Sequence, residues 1–389
     1  MRMKHIDFPE EGFKLIPADR KLEEETLNQP PSVRYYPAKI GEVFLTRYQI
    51  VTKLGFGQNS TVWLCQDMKH EGGRYLALKI YTASPHSLAQ SREVVASLFF
   101  KNIEGVHHPG WELIRRVEHA FDIPSLIGRH VCLLYEPHGM PISKFRDYFP
   151  GKMLSKKQLQ STLVYTLMAL DVLNQVNIVH TYELQRPSPR KILPNGTVIY
   201  ASRPFPVTYG PTVITDFCHA RYQHEKPTGK IMPDSYRAPE VILGMEWDTK
   251  VNVWSVGVMI WHLFEGGRLF YNEEDRLMED EQHLAQMVSL MGPPPKHFLE
   301  RSPKCRKYWD EDGKWIAATP IPSRSFALRE NRLSPADLTL FLAFIHKIFR
   351  WDPHERASPT ELVKDPFLAQ CGIVKIGRDR TNIAVIVNN

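Results

Sequence analysis

Leu54-Gly55-Phe56-Gly57-Gln58-Asn59-Ser60-Thr61-Val62 is a glycine-rich turn set between two β-like runs. Glycines let a backbone come close to phosphate groups and aim its N–H groups at them. Alone, the pattern reads more readily as an ordinary glycine β-turn. Lys79 lies 17 positions beyond Val62, in Ala77-Leu78-Lys79. That gap suits a strand, a turn and a returning strand, which would set Lys79 under the glycine turn, near the α- and β-phosphates of a nucleotide. Glu93 falls in the next helical run, where it can pair with Lys79 and fix its ammonium. On its own Glu93 reads as a solvated helix face; early in a helix it also complements the macrodipole. The three features together favour phosphate chemistry.

The elements that must position these residues follow from periodicity. Tyr48-Gln49-Ile50-Val51, Thr61-Val62-Trp63-Leu64 and Tyr75 to Tyr81 read as strands, the last two separated by Glu71-Gly72-Gly73. Ala89 to Lys101 has helical spacing, with Val94, Val95, Leu98 and Phe99 apolar. Residues 158–176 predict a long amphipathic helix with Leu163, Leu167, Leu170 and Leu173 on one face. Val253 to Phe264 is apolar on nearly all sides, as a helix in a domain centre should be. The first third is therefore mostly strand and the rest mostly helix. The apolar text Ile383 to Val387 closes the chain without a reading.

A chain of 389 residues exceeds one compact core, so two lobes are expected. Hydrophobic content of 43% with 24% charge fits a globular protein. The net charge of +6 comes without a polybasic run, so neither direct nucleic-acid binding nor a membrane surface is indicated. The five cysteines are scattered, with no CxxC pair to suggest a disulfide framework or a zinc site. The first residues lead into no apolar segment of signal type, and no run approaches a membrane span. A reduced compartment, cytoplasmic and/or nuclear, is the expectation.

Further motifs carry a resemblance. They are His180-Thr181, Asp216-Phe217, Tyr236-Arg237-Ala238-Pro239-Glu240-Val241-Ile242-Leu243, Gln282 to Met287 with Gly292-Pro293-Pro294-Pro295, and Asp352-Pro353-His354-Glu355-Arg356-Ala357-Ser358. With the glycine turn and Ala77-Leu78-Lys79, residues 34 to 370 resemble a eukaryotic protein kinase of the CMGC group, SR-protein kinase branch, in its fungal form. The resemblance implies an α+β bilobal kinase fold: an arm at 1–33, a β-rich N-lobe at 34–137, a helical C-lobe at 138–370 and a tail at 371–389. The CMGC-type insert falls at about 292–333. It further implies an ATP site formed by Leu54, Gly55, Gly57, Ser60, Val62, Ala77, Lys79, Glu136 and His138. The last two belong to Cys132-Leu133-Leu134-Tyr135-Glu136-Pro137-His138, which resembles the hinge that pairs with adenine. Lys79, Glu93 and Asp216 take the catalytic roles, Asp216 holding Mg2+, and Arg356 pairs with Glu240. His180-Thr181 matches the branch that has Thr where most kinases have Arg and tends to be constitutively active.

Three departures touch catalysis. Cys218 replaces the glycine after Asp216-Phe217, and Asn252 stands where the family has an anchoring Asp. The third is the loop His180-Thr181-Tyr182-Glu183-Leu184-Gln185-Arg186-Pro187-Ser188. Tyr182 occupies the place of the catalytic Asp, and Pro187 that of the metal-binding Asn. The following text resembles what relatives carry after that loop, so an internal deletion is the simplest explanation. Glu183 is one residue out of place, and Lys191-Ile192-Leu193 only mimics Asn-Ile-Leu, with a lysine that would repel magnesium. Between Glu273 and Glu281 lie six acids in nine residues, either a solvated loop or a surface for Arg-Ser-rich splicing factors. The readings are an SR-type serine/threonine kinase, impaired and monomeric, with a role in splicing regulation; a pseudokinase or scaffold; or an exon skipped in deriving the sequence.

Overall fold

The computed structural model describes residues 4–8, 15–17, 19–27, 34–84, 91–102, 108–175, 178–179, 191–192, 198–202, 211–217, 221–222, 228–271, 278–376 and 385–387. The chain divides into two compact units, one of residues 1–105, 115–141 and 184–210, the other of 106–114, 142–183 and 211–389.

The first unit is built on an antiparallel sheet. Its strands are β1 (Val43–Phe44), β2 (Tyr48–Phe56), β3 (Ser60–Asp67), β4 (Arg74–Tyr81), β5 (Val117–Ser125) and β6 (Gly128–Tyr135). They lie in the order β1-β2-β3-β4-β6-β5. On β4, Leu76, Leu78 and Ile80 alternate into one core with Ile50, Trp63, Cys65 and Leu134. That alternation turns Ala77 and Lys79 to the other face. Helix α1 (Arg92–Asn102) starts later than its sequence pattern suggests, residues 85–90 lying outside the described set. Val94 packs on Val117, Val131, Leu133 and Tyr135. Val95, Leu98 and Phe99, read as part of an apolar pattern, are exposed. The buried face is instead Glu93, Ala96, Ser97 and Phe100, at i, i+3, i+4 and i+7, with Val94 beside it.

Charge is also buried in this unit. Lys53 on β2 lies 2.6 Å from Glu23 and bonds Glu24, with both its own and the Glu23 side chain at 1% exposure. Glu23 also accepts from the Ser202 backbone N–H at 2.7 Å, and Glu25 pairs with Lys191 at 2.9 Å. The Glu23-Glu24-Glu25 run thus clasps segments far away in sequence. Burial raises the Glu24 carboxyl above its ordinary range, against the lowering influence of Lys53.

In the second unit the long helices are α2 (Lys156–Gln175), α3 (Lys250–Phe264), α4 (Asp280–Met291) and α5 (Pro335–Ile348). The predicted face Leu163, Leu167, Leu170 and Leu173 of α2 is buried. Helix α3 is buried on most sides, and a Cβ at Gly257 would sit 2.6 Å from the Phe349 ring, so only glycine fits that approach. Arg356 makes a two-pronged bond to Glu240, both contacts at 2.6 Å, and neither side chain has exposed surface. The guanidinium also donates to the Arg350 carbonyl at 3.1 Å and lies 5.0 Å from the Trp254 ring centre.

Arg356→Leu should strand the Glu240 carboxylate and destabilise the second unit by roughly 3–5 kcal/mol; urea unfolding of variant and parent reads the difference. A second effect concerns pH. Glu265, just past α3, is pushed up to about 7 by burial and by Glu330. Its folded value exceeds its unfolded one, so this group's contribution to stability is present at low pH and is lost as pH rises through about 7. Glu265→Gln should therefore gain thermal stability on the parent as pH goes from about 5 to about 8.

Candidate functional site

The β2–β3–β4 register delivers the glycine turn and Lys79 together. Gly55 faces Val62, Val62 faces Lys79, and Lys79 faces Leu133 on β6. The turn closes with the Gly57 N–H on the Ser60 carbonyl at 2.6 Å. Gly55 does not have a left-handed backbone, and a Cβ built on it meets nothing within 4 Å. Gly55 also lies where the β2–β3 register shifts, between Lys53 and Gly55, a place that itself suits glycine. The turn's N–H groups and an ammonium nearby fit a nucleotide polyphosphate.

Lys79 Nζ lies 2.9 Å from Glu93 Oε2, with the side chains 13% and 4% exposed. Helix α1 is held in place for this by Ser97, whose hydroxyl accepts from the Val117 N–H at 3.1 Å, and by Val94 in the core. Two tyrosines that the sequence reading did not single out join the pair. Tyr81, two places beyond Lys79 on β4, donates its hydroxyl to the same Glu93 oxygen, and its ring centre is 4.9 Å from Lys79 Nζ. Tyr135 is buried opposite Ala77; burial and then Glu93 push its phenol well above its ordinary value. A lone tyrosine on a strand carries no motif, so only the register reveals them.

At the end of β6 the Glu136 carbonyl accepts from Arg115 at 3.2 Å and meets His138 Nδ1 at 2.9 Å. A carbonyl oxygen has two lone pairs, so an adenine amino group reaching this atom would displace one of these contacts. Burial, then Arg115, lowers the His138 pKa, which favours the neutral ring. The Glu136 carboxylate is turned to Arg74 at 3.2 Å. Leu54, Ser60, Val62 and Ala77 sit on β2, β3 and β4 around the glycine turn and Lys79.

Asp216 belongs to the second unit. It has a left-handed backbone, φ 68°, between Thr215 and the buried Phe217. Such strain in a non-glycine residue gathers at functional sites. The segment is pinned where Ile214 bridges Ile114 and donates to the Leu113 carbonyl at 2.8 Å. Among the described residues no cluster of three His, Cys, Asp or Glu could hold a metal. Asp216 suits a magnesium ion that takes most of its ligands from phosphate and water.

His180, Thr181, Tyr182, Glu183, Pro187, Cys218, Glu273, Glu274 and Asp275 lie outside the described residues. Lys191, read as mimicking a metal-binding Asn, is buried in the first unit and faces Glu25. Within the acidic run, Asp280 holds Arg237 at 2.7 Å and Glu281 accepts from the Thr319 N–H at 2.7 Å. Both are engaged internally, while Glu279 is exposed.

Residues 205–368 match the protein kinase domain family. A serine/threonine protein kinase of Aspergillus fumigatus is 38% identical, over 92% of this chain and 93% of its own. The serine/threonine-protein kinase SRPK of Physarum polycephalum is 27% identical, over 86% and 89%. Dual specificity protein kinase CLK1 of Mus musculus is 25% identical, over 84% and 67%. A solved kinase-domain structure superposes with a TM-score of 0.66 at 24% identity, covering 86% of this chain and 98% of its own, and shares the fold. The expected α+β bilobal kinase architecture is thereby met.

Replacing Lys79 by Met would leave the Glu93 carboxylate buried without its cation. The variant should be less stable by about 1–3 kcal/mol near neutral pH. Melting temperatures of parent and variant near neutral pH check the size.

Proposed function

The chain belongs to the serine/threonine protein kinases, and from that premise we propose a member of the SR-protein kinase type that holds ATP and magnesium but transfers phosphate poorly. Protein kinases as a family use ATP and Mg2+ and act on protein substrates. The observation that carries the first half is the Lys79–Glu93 pair, set by the β2–β3–β4 register beside the glycine turn. Bound there, ATP would supply the phosphoryl group, and magnesium would neutralise its charge. In this reading the turn from Gly55 to Ser60 and the Lys79 ammonium grip the phosphates. Glu93 and Tyr81 hold Lys79 in place, Glu136 and His138 border the adenine, and Asp216 takes the metal-holding role that the kinase resemblance gives it.

The second half rests on the loop text. A protein hydroxyl becomes a nucleophile when a carboxylate placed beside it takes its proton. Tyr182 stands at that place, and a phenol, neutral near pH 7, is a poor acceptor. Pro187, in place of the second metal ligand, offers neither a side-chain ligand nor the usual loop conformation. Loss of such groups lowers rates by orders of magnitude, because positioning and electrostatics provide most of phosphoryl-transfer catalysis.

Arg-Ser-rich splicing factors, met in the cytoplasm or nucleus, are the substrate class we infer. The SRPK relative and the exposed Glu279 support it; the internal engagement of Asp280 and Glu281 narrows the surface available. A pseudokinase acting as a scaffold is the second reading, favoured by the same loop.

The test is phosphate transfer to an Arg-Ser peptide by purified protein, beside Lys79→Met and an intact relative, with binding of an ATP analogue measured separately. Binding by the parent with transfer roughly a hundredfold or more below the relative is expected. Transfer comparable to the relative would show that Glu183 or another acid serves as base. No binding at all would leave the scaffold reading.

A further inference from the structure

Tyr35 sits in the stretch that leads into the sheet, outside every motif. Its hydroxyl lies 2.7 Å from the Gly57 carbonyl oxygen and 2.8 Å from that of Gln58, its one proton shared between the two. These are successive carbonyls at the tip of the glycine turn. A peptide unit is planar and trans, so its C=O and N–H point in opposite directions. Drawing the Gly57 and Gln58 carbonyls toward Tyr35 therefore turns the N–H groups of Gln58 and Asn59 to the opposite face of the turn. Two neighbouring N–H groups presented on one side make an anion-binding concavity.

The platform that carries Tyr35 is itself fixed. The Arg34 carbonyl accepts from the Ala83 N–H at 2.8 Å, just past β4, and the Thr82 N–H donates to the Asn59 carbonyl at 2.9 Å. Tyr36 turns the other way, with its ring 5.8 Å from Phe44 and 5.4 Å from His130 and its hydroxyl on Glu42 at 2.5 Å. The arm, the turn and the end of the lysine-bearing strand are thus laced together by main-chain and phenol hydrogen bonds. Partial burial and Glu24 push the Tyr35 phenol up to about 12, so it keeps its proton and remains a donor throughout the neutral range.

We propose that Tyr35 is a positioning residue for phosphate binding, holding the β2–β3 turn so that the Gln58 and Asn59 N–H groups face the polyphosphate of a nucleotide. The proposal rests on the nucleotide reading given above and adds to it the residue that orders the turn. A glycine turn gains most from such a tether, because glycine loses more backbone freedom on ordering than any other residue. Order present before binding is not lost on binding, and affinity rises by that amount.

Tyr35→Phe removes the hydroxyl and keeps the ring; Tyr36→Phe, on the same arm but bonded to Glu42, is the control. Amide hydrogen exchange of the free proteins is measured first, and then the affinities of each for adenosine and for a non-hydrolysable ATP analogue. Tyr35→Phe should speed exchange across Gly55 to Ser60 and weaken the ATP analogue about three- to tenfold, the worth of one hydrogen bond. Adenosine affinity should hold, and Tyr36→Phe should leave both readouts at parent values. A merely structural role would weaken adenosine and the analogue alike, and that result overturns the proposal. Unchanged turn exchange in Tyr35→Phe also overturns it, whatever the affinities. A parent that binds neither compound removes the phosphate role together with the nucleotide reading, while exchange still reports whether Tyr35 orders the turn.

Discussion

A buried charge must have its partner, and both units are arranged around that requirement. In the second unit Arg356 is wholly enclosed and finds the Glu240 carboxylate, the Arg350 carbonyl and the Trp254 ring. Lys250, at the start of α3, returns a bond to the Arg356 carbonyl. One residue, through its guanidinium and its carbonyl, thereby fixes the short helix Pro239–Ile242, the beginning of α3 and the closing motif around Pro353 to each other. Arginine suits the task because its planar fork meets a carboxylate with two parallel bonds. Lys53 does the corresponding work in the first unit, joining the strand that leads into the glycine turn to Glu23 and Glu24.

The contrast between these two hubs shows what a sequence discloses. Tyr236-Arg237-Ala238-Pro239-Glu240 and Asp352 to Arg356 are recognisable texts, and the pair they form was legible from them. So were the strands through Tyr48, Val62 and Lys79, since alternation of buried and exposed positions along β4 follows directly from the pleat. The Glu23-Glu24-Glu25 run was not legible. Three consecutive acids near a chain terminus read as solvated charge, and their partners, Lys53, Lys191 and Ser202, are separated from them by tens to well over a hundred residues. No local pattern announces a contact of that range. The same is true of the tyrosines: Tyr35, Tyr81 and Tyr135 act through single hydroxyls or rings whose meaning depends on register. The outward-facing residues of α1 were missed for a related reason. Apolar content alone does not say which face turns inward, whereas Glu93 and Ser97, both polar, lie on the buried face because their bonds are made there.

The Lys79–Glu93 pair is weaker testimony to catalysis than its family role implies. Removing one member of this pair strands the other, at about 1–3 kcal/mol. A chain that no longer transferred phosphate would still be held to the pair by stability, with Tyr81 and Tyr135 packed about it. Gly55 by itself says no more. A glycine in a strand commonly marks a bulge, and the β2–β3 register shifts between Lys53 and Gly55. The two halves of the proposal therefore rest on different ground: binding on a glycine turn registered beside Lys79, and weak transfer on the loop text, where Tyr182 and Pro187 stand in the places that the resemblance gives to an acid and a metal ligand.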